Sequence, residues 1–136
     1  MNLIILGHGN YATGLYSSLV MITGPKENVE ALDFLENESD TLFGQKLNKL
    51  VKNKKEVLFV CDLMGGTPYK EAAKLAFHSE SMEVVCGANL GGLVDTSLKL
   101  DSLSLKEAVT NLVNSSTKNI IVLEKKPLIK ETHDGI

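Results

Sequence analysis

The sequence predicts one three-layer α/β/α domain built on a mostly parallel sheet with strand order 2-1-3-4. Three observations carry this. Short apolar runs alternate with amphipathic helical stretches along the chain, which is the pattern of linked βαβ units. The runs Leu3–Leu6 and Val57–Cys61 have no polar alternation, as expected of central strands covered on both faces. Each of these two runs leads into a glycine-containing turn that opens a helix, Gly7-His8-Gly9-Asn10 after the first and Gly65-Gly66-Thr67-Pro68 after the second. With the second and third strands on opposite sides of the first, the chain direction reverses between strands one and three. The two glycine turns then face each other where open α/β sheets bind ligands.

The elements follow in order. Asn10 is the expected N-cap of a helix from Tyr11 to Ile22, with Ala12, Leu15, Tyr16, Leu19 and Val20 on one face. Gly24-Pro25 stops it. Val29–Phe34 is a second strand, with Asp33 near its end. Ser39 or Asp40 caps a helix to Lys52 that buries Phe43, Leu47, Leu50 and Val51. After the third strand, Thr67 as N-cap with Pro68 in the first helical position starts a helix to Phe77. Met82–Cys86 is strand four. Asn89-Leu90-Gly91-Gly92 reads as a turn at the crevice rim, before a helix from Leu93 to Leu100. Ser104-Leu105-Lys106-Glu107 is a capping box for a helix with Leu105, Ala108, Val109, Leu112 and Val113 on its face. Ile120–Leu123 is predicted as a fifth strand, antiparallel, at an edge or paired with another subunit. Residues 1–123 form the domain, and 124–136 are a polar tail.

Composition narrows the functions. The net charge of −3 gives no basic footprint for nucleic acid. All 14 basic residues are lysine, so the chain supplies no bidentate arginine clamp for phosphate. Cys61 and Cys86 close apolar runs without metal-ligand spacing and read as small buried residues in a reducing compartment. No apolar segment long enough to span a bilayer is visible, and the start of the chain lacks the basic n-region of a secretory signal. The expectation is a cytoplasmic protein without metal or cofactor.

His8 is the principal candidate for chemistry. It is predicted at the carboxyl end of the first strand, between glycines and beside a helix N-terminus, which favours anions. A neutral imidazole has a lone pair and attacks phosphorus without a base, so phosphoryl transfer to it needs positioning and charge stabilisation. Asp62, at the end of the third strand, is either a turn-former or the acceptor that fixes the tautomer of His8. Gly9, Asn10, Gly65, Gly66 and Thr67 are candidate phosphate contacts through backbone N–H groups and one hydroxyl. His78 and His133 read as solvated surface.

Two other readings fit some of these residues. Gly7, Gly9 and Ala12 match G-x-G-x-x-A, with Asp33 about 20 residues on, as in a dinucleotide-binding domain. A histidine in the phosphate turn and the second glycine turn are unexplained there, and the length leaves no room for a substrate domain. A non-catalytic regulatory domain of the same fold is the third class. The R-H-G turn of histidine phosphatases is excluded by the lack of arginine.

Taken together, Gly7-His8-Gly9, Glu27-Asn28-Val29 and Asp62 with Gly65-Gly66-Thr67-Pro68 resemble the IIA component of the mannose family of the bacterial sugar phosphotransferase system. The resemblance spans residues 1–123. It implies that His8 is phosphorylated, that Asp62 hydrogen-bonds it, and that Thr67 and adjacent backbone contact the phosphoryl group. It also implies HPr as donor, a IIB component as acceptor, membrane IIC and IID components acting indirectly, no direct sugar binding, and a homodimer exchanging its last strand. Asn89-Leu90-Gly91 departs from the Asn-Leu-Pro frequent in that family. The phosphotransfer subunit of dihydroxyacetone kinase is the close alternative, and usually lacks Gly-Gly-Thr-Pro.

Overall fold

The computed structural model describes residues 1–126. The elements are β1 (Asn2–His8), α1 (Tyr11–Thr23), β2 (Val29–Phe34), α2 (Asp40–Val51), β3 (Val57–Cys61), α3 (Thr67–Ala76), β4 (Met82–Cys86), α4 (Leu90–Lys99), a 3-10 turn (Leu100–Ser102) and α5 (Leu105–Lys118). The four strands are parallel, in the order β2-β1-β3-β4. No helix among the described residues is long and apolar enough to cross a membrane.

Strand geometry explains why β1 is apolar throughout. Successive side chains point to opposite faces, and here both faces are covered. Leu3 and Ile5 join Leu58 and Val60 in a core under α1, α4 and α5. Ile4 and Leu6 join Val57, Phe59 and Cys61 in a second core under α2 and α3. Right-handed crossovers require this division. The step from β1 to β2 runs one way across the sheet, whereas β2 to β3 and β3 to β4 run the other, so the helices change face where the direction reverses. By the same alternation Gly7 belongs to the α1 face and His8 to the α2–α3 face.

Several local expectations need correction. Asn10 occupies the N-cap position of α1, but its side chain makes no capping bond. The Asp33 carboxylate does that work from β2, accepting from the Thr13 amide at 3.0 Å and the Thr13 hydroxyl at 2.6 Å. Thr67 is the first residue of α3 and not its cap; Gly66 holds that position. Asn89 opens a helix and does not merely turn, because its side chain accepts from Gly92 N–H at 3.0 Å and starts α4 three residues earlier than expected. Val113 is exposed, and so lies off the buried face of α5. Cys86 is half-buried and lies opposite the fully buried Cys61 in the β3–β4 register. The caps at Ser39 and the Ser104–Glu107 capping box form as expected.

The largest difference is at the end of the chain. Ile120–Leu123 forms no strand in this chain, and its four side chains are 76–86% exposed. They follow directly on α5, which ends at Lys118, and pair with neither edge strand, β2 or β4, of their own sheet. Residues 127–136, which include most of the expected polar tail and His133, lie outside the described residues.

Close helix packing gives a direct test of the α4–α5 contact. A Cβ at Gly92 would lie 2.0 Å from Ser116 Oγ and 2.9 Å from the Ser116 backbone N, whereas one at Gly14 on α1 meets nothing within 4 Å. Gly92→Ala is expected to destabilise the fold by about 1–3 kcal/mol through overpacking. Gly14→Ala is expected to stabilise it by roughly 0.5–1 kcal/mol through helix propensity and unfolded-state entropy. Urea denaturation curves of the two variants check both signs.

Candidate active site

His8 ends β1 and faces the α2–α3 side, above the turn that links β3 to α3. Asp62 is the first residue after β3, the strand next to β1 in the sheet. The sheet register therefore brings together two residues 54 positions apart. Asp62 Oδ2 accepts from the backbone N–H of His8 at 2.8 Å and lies 2.7 Å from its ring Nδ1. Asp62 Oδ1 accepts from the Leu63 amide at 2.8 Å. An ionised carboxylate only accepts, so the short contact makes Nδ1 the protonated nitrogen and leaves the lone pair on Nε2. The side chain of His8 is 44% exposed, while that of Asp62 is only 9% exposed.

Burial pushes the Asp62 carboxyl upward. The hydrogen bonds from the His8 backbone, the His8 ring and the Leu63 amide outweigh that, and the net effect holds it below its ordinary value. The carboxylate is therefore a permanent acceptor at neutral pH.

Two further groups fix the imidazole. Phe34, at the end of β2 and paired in register with His8, sets its ring edge-to-face with the imidazole at a centroid distance of 5.6 Å. Phe43 on α2 supports Phe34 in the same way at 5.4 Å. From below, Gly66 approaches so closely that a Cβ there would lie 2.7 Å from His8 Cε1 and 3.3 Å from Nε2. Only glycine leaves the ring its position. Its neighbour Gly65 turns the chain with φ +91°, a region glycine enters freely.

The remaining candidates divide. Gly9 has φ +58° and its amide donates to Phe34 O at 2.8 Å, so that amide is engaged within the fold. Asn10 is exposed beside it. On the other side of the crevice Gly66, the N-cap of α3, packs against the Cε1–Nε2 edge of the ring, and the first turn of α3 follows it. Its leading amides have no intrahelical acceptor, and Pro68 lacks one altogether. Thr67 is part-buried there, and its hydroxyl donates to Asp40 Oδ1 at 2.9 Å. Sequence reading did not single out Phe34 or Asp40 as site residues. Phe34 was discoverable as the strand-end neighbour of His8 once the sheet order was set, but no local pattern links Asp40 to Thr67. His78 is exposed beyond α3, away from this cluster.

Comparison with known proteins decides the family. Residues 2–113 match the EIIA-man family model, described as the PTS system fructose IIA component. The chain belongs to this family. It is 32% identical over 125 residues to the fructose-specific EIIA component of Bacillus subtilis, covering 90% of this chain and 86% of the relative. It is 33% identical over 132 residues to the mannose-specific EIIAB component of Escherichia coli, covering 93% of this chain but spanning 41% of that longer protein. A crystal structure of an EIIA component from Streptococcus agalactiae superposes with a TM-score of 0.84 at 30% identity, covering 89% of this chain and 95% of that one. EIIA proteins are phosphotransferase components, and membership places this chain in phosphotransfer for sugar uptake.

The carboxyl shift gives a pH prediction. Asp62 binds its proton more weakly in the folded state, so its contribution to stability is complete above the ordinary carboxylate value and is lost as pH falls through the lower folded value. The stability difference between wild type and Asp62→Asn should therefore be constant near neutrality and begin to shift against wild type as pH falls below the ordinary carboxylate value. Urea midpoints at about pH 6 and about pH 3 measure it.

Proposed function

We propose that this EIIA chain is a histidine phosphocarrier: His8 takes a phosphoryl group from phospho-HPr through Nε2 and passes it to a IIB component. The observation that carries the reading is the 2.7 Å contact of Asp62 Oδ2 with His8 Nδ1 on an otherwise exposed ring. It supports a nucleophile already in the correct tautomer, presented where a second protein can approach.

In the transfer, the Nε2 lone pair attacks phosphorus in line with the phosphorus–nitrogen bond of the donor. The new bond forms, the donor bond breaks, and the donor histidine keeps the electron pair. No proton has to leave His8, because Nδ1–H stays on the ring; the positive charge that develops there faces the Asp62 carboxylate. The phosphoryl group brings roughly −1.5 to −2 charge. With no arginine in the chain, the first-turn amides of α3 and the Thr67 hydroxyl are the groups that receive it. Asp33, the carboxylate a dinucleotide reading needs for ribose, has both oxygens engaged by Thr13. The chain works in the cytoplasm and binds no sugar itself.

Two copies form the working unit. Ile120–Leu123 is too apolar to remain bare, and β4 is a sheet edge with an open cleft of about 660 Å³ beside it, lined in part by Tyr69, Phe77, Met82 and Val84. The segment adds to the sheet of the partner copy, and the reciprocal exchange closes the two-fold. Deletion of residues 118–136 is expected to yield a monomer prone to aggregation; a soluble truncated dimer in sedimentation would count against the exchange.

Incubation with phosphoenolpyruvate, enzyme I and HPr, followed by intact-mass measurement, tests the carrier reading. Wild type should gain one phosphoryl group and His8→Ala none. Asp62→Asn should fold normally but transfer roughly ten- to a hundredfold more slowly, the usual effect of losing one charge-assisted hydrogen bond from the transition state. Gly66→Ala should also slow transfer, because its methyl displaces the ring. Uptake by His8→Ala at the wild-type level would refute the assignment.

A further inference from the structure

The hydroxyl of Thr67 is not free in this structure. It donates to Asp40 Oδ1 at 2.9 Å, across the gap between the first residue of α2 and the first residue of α3. Asp40 is not needed as a cap, since Ser39 Oγ already accepts from the Leu42 amide at 3.0 Å. Nor does Asp40 form an ion pair among the described residues. Its carboxylate stands at the N-terminus of α2, where the helix dipole favours negative charge. Thr67 directly follows Gly66, the residue packed under Nε2 of His8.

A hydroxyl has one proton and two lone pairs. While that proton points at Asp40, Thr67 presents only lone pairs to anything else, and a phosphoryl group presents only acceptors. Phosphate on Nε2 therefore meets one of two situations. Either the Thr67 proton turns to the phosphoryl oxygen and leaves the Asp40 carboxylate without it, or the proton stays and the phosphoryl group lacks a donor. In both, a second negative charge without a cationic partner lies near the new one.

We propose that Asp40 is a positioning residue for the transfer: it competes with the phosphoryl group for the hydroxyl proton of Thr67 and so keeps the phosphorylated chain ready to give its phosphate away. The proposal rests on His8 as the phosphate carrier. It assigns to Asp40 the setting of how tightly the phosphoryl group is held, a property that matters to a carrier because it must release what it accepts.

The experiment compares wild type, Asp40→Ala, Asp40→Asn, Thr67→Val and the Asp40→Ala/Thr67→Val double variant. The first readout is the equilibrium of phosphate between HPr and each chain. Asp40→Ala should shift it about three- to thirtyfold toward the phosphorylated chain, the range expected when one competing charge-assisted hydrogen bond is removed at an exposed site. Asp40→Asn should lie between it and wild type. In the Thr67→Val background, removal of Asp40 should have at most a small residual effect. The second readout needs no protein donor. Chains are phosphorylated with phosphoramidate, and the loss of phosphohistidine to water is followed by phosphorus NMR. Asp40→Ala should prolong the lifetime severalfold, again only when Thr67 is present.

An Asp40→Ala chain with the wild-type equilibrium and lifetime overturns the proposal. So does a shift toward unphosphorylated chain, or an undiminished effect without Thr67. If HPr exchanges no phosphate with wild type, the carrier reading fails, and the phosphoramidate lifetimes alone decide the role of Asp40. Unfolding curves verify that the variants are folded; a purely structural role would change those curves and leave the Thr67 coupling at zero.

Discussion

One carboxylate oxygen organises the site. Asp62 Oδ2 accepts both the backbone N–H and the ring Nδ1–H of His8, so the end of β1, the tautomer of its histidine and the start of the β3–α3 turn are fixed by a single atom. The bond is possible only because β1 and β3 are parallel neighbours, with Leu6 opposite Cys61. Asp62 directly follows Cys61 and His8 lies two residues past Leu6, so both stand at the same end of the sheet. The two cores on either face exist to hold those strands. Phe34 and Gly66 then restrict the ring from the side and from beneath, and Nε2 is the ring nitrogen without a hydrogen-bond partner among the described residues.

The rest of the crevice follows from charge. The chain has no arginine, so the phosphoryl group proposed for His8 meets no bidentate guanidinium from this chain, and the proposed contacts are amides and a hydroxyl. The two helix N-termini at the crevice are not equivalent. That of α1 is tied to Asp33 through Thr13, while that of α3 follows Gly66 at the His8 ring and has its hydroxyl directed to Asp40. In α1 the carboxylate takes an amide and a hydroxyl of the first turn, whereas in α3 it takes only the hydroxyl.

Much of this was legible in the sequence. Uninterrupted apolar runs marked β1 and β3 as central, and the glycine turns after them fixed which end mattered. Those two facts pointed to the strand order and to two facing turns, while the hydrogen bond of Asp62 to His8 was implied only by the family resemblance. What stayed hidden were hydrogen bonds made across the fold. Asn10 has the side chain of an N-cap, yet Asp33 from the neighbouring strand satisfies Thr13 instead. Thr67 also looks like a cap, but its hydroxyl finds Asp40, 27 residues earlier in the chain. Local patterns rank side chains by what their own backbone offers and carry no record of a competitor from another element. Ile120–Leu123 shows the opposite limit: its apolar residues satisfy a strand pattern, but a strand needs a paired neighbour, and the segment pairs with neither edge of its own sheet.

The most direct test of the account is the identity of the phosphorylated nitrogen. Long-range proton–nitrogen correlation spectra of the phosphorylated chain distinguish the two ring positions of His8. The account predicts phosphorus bonded to Nε2, with a proton retained on Nδ1 and shifted by its hydrogen bond to Asp62. Phosphorus on Nδ1 would contradict it, because that nitrogen could be reached only after the Asp62 bond had been broken.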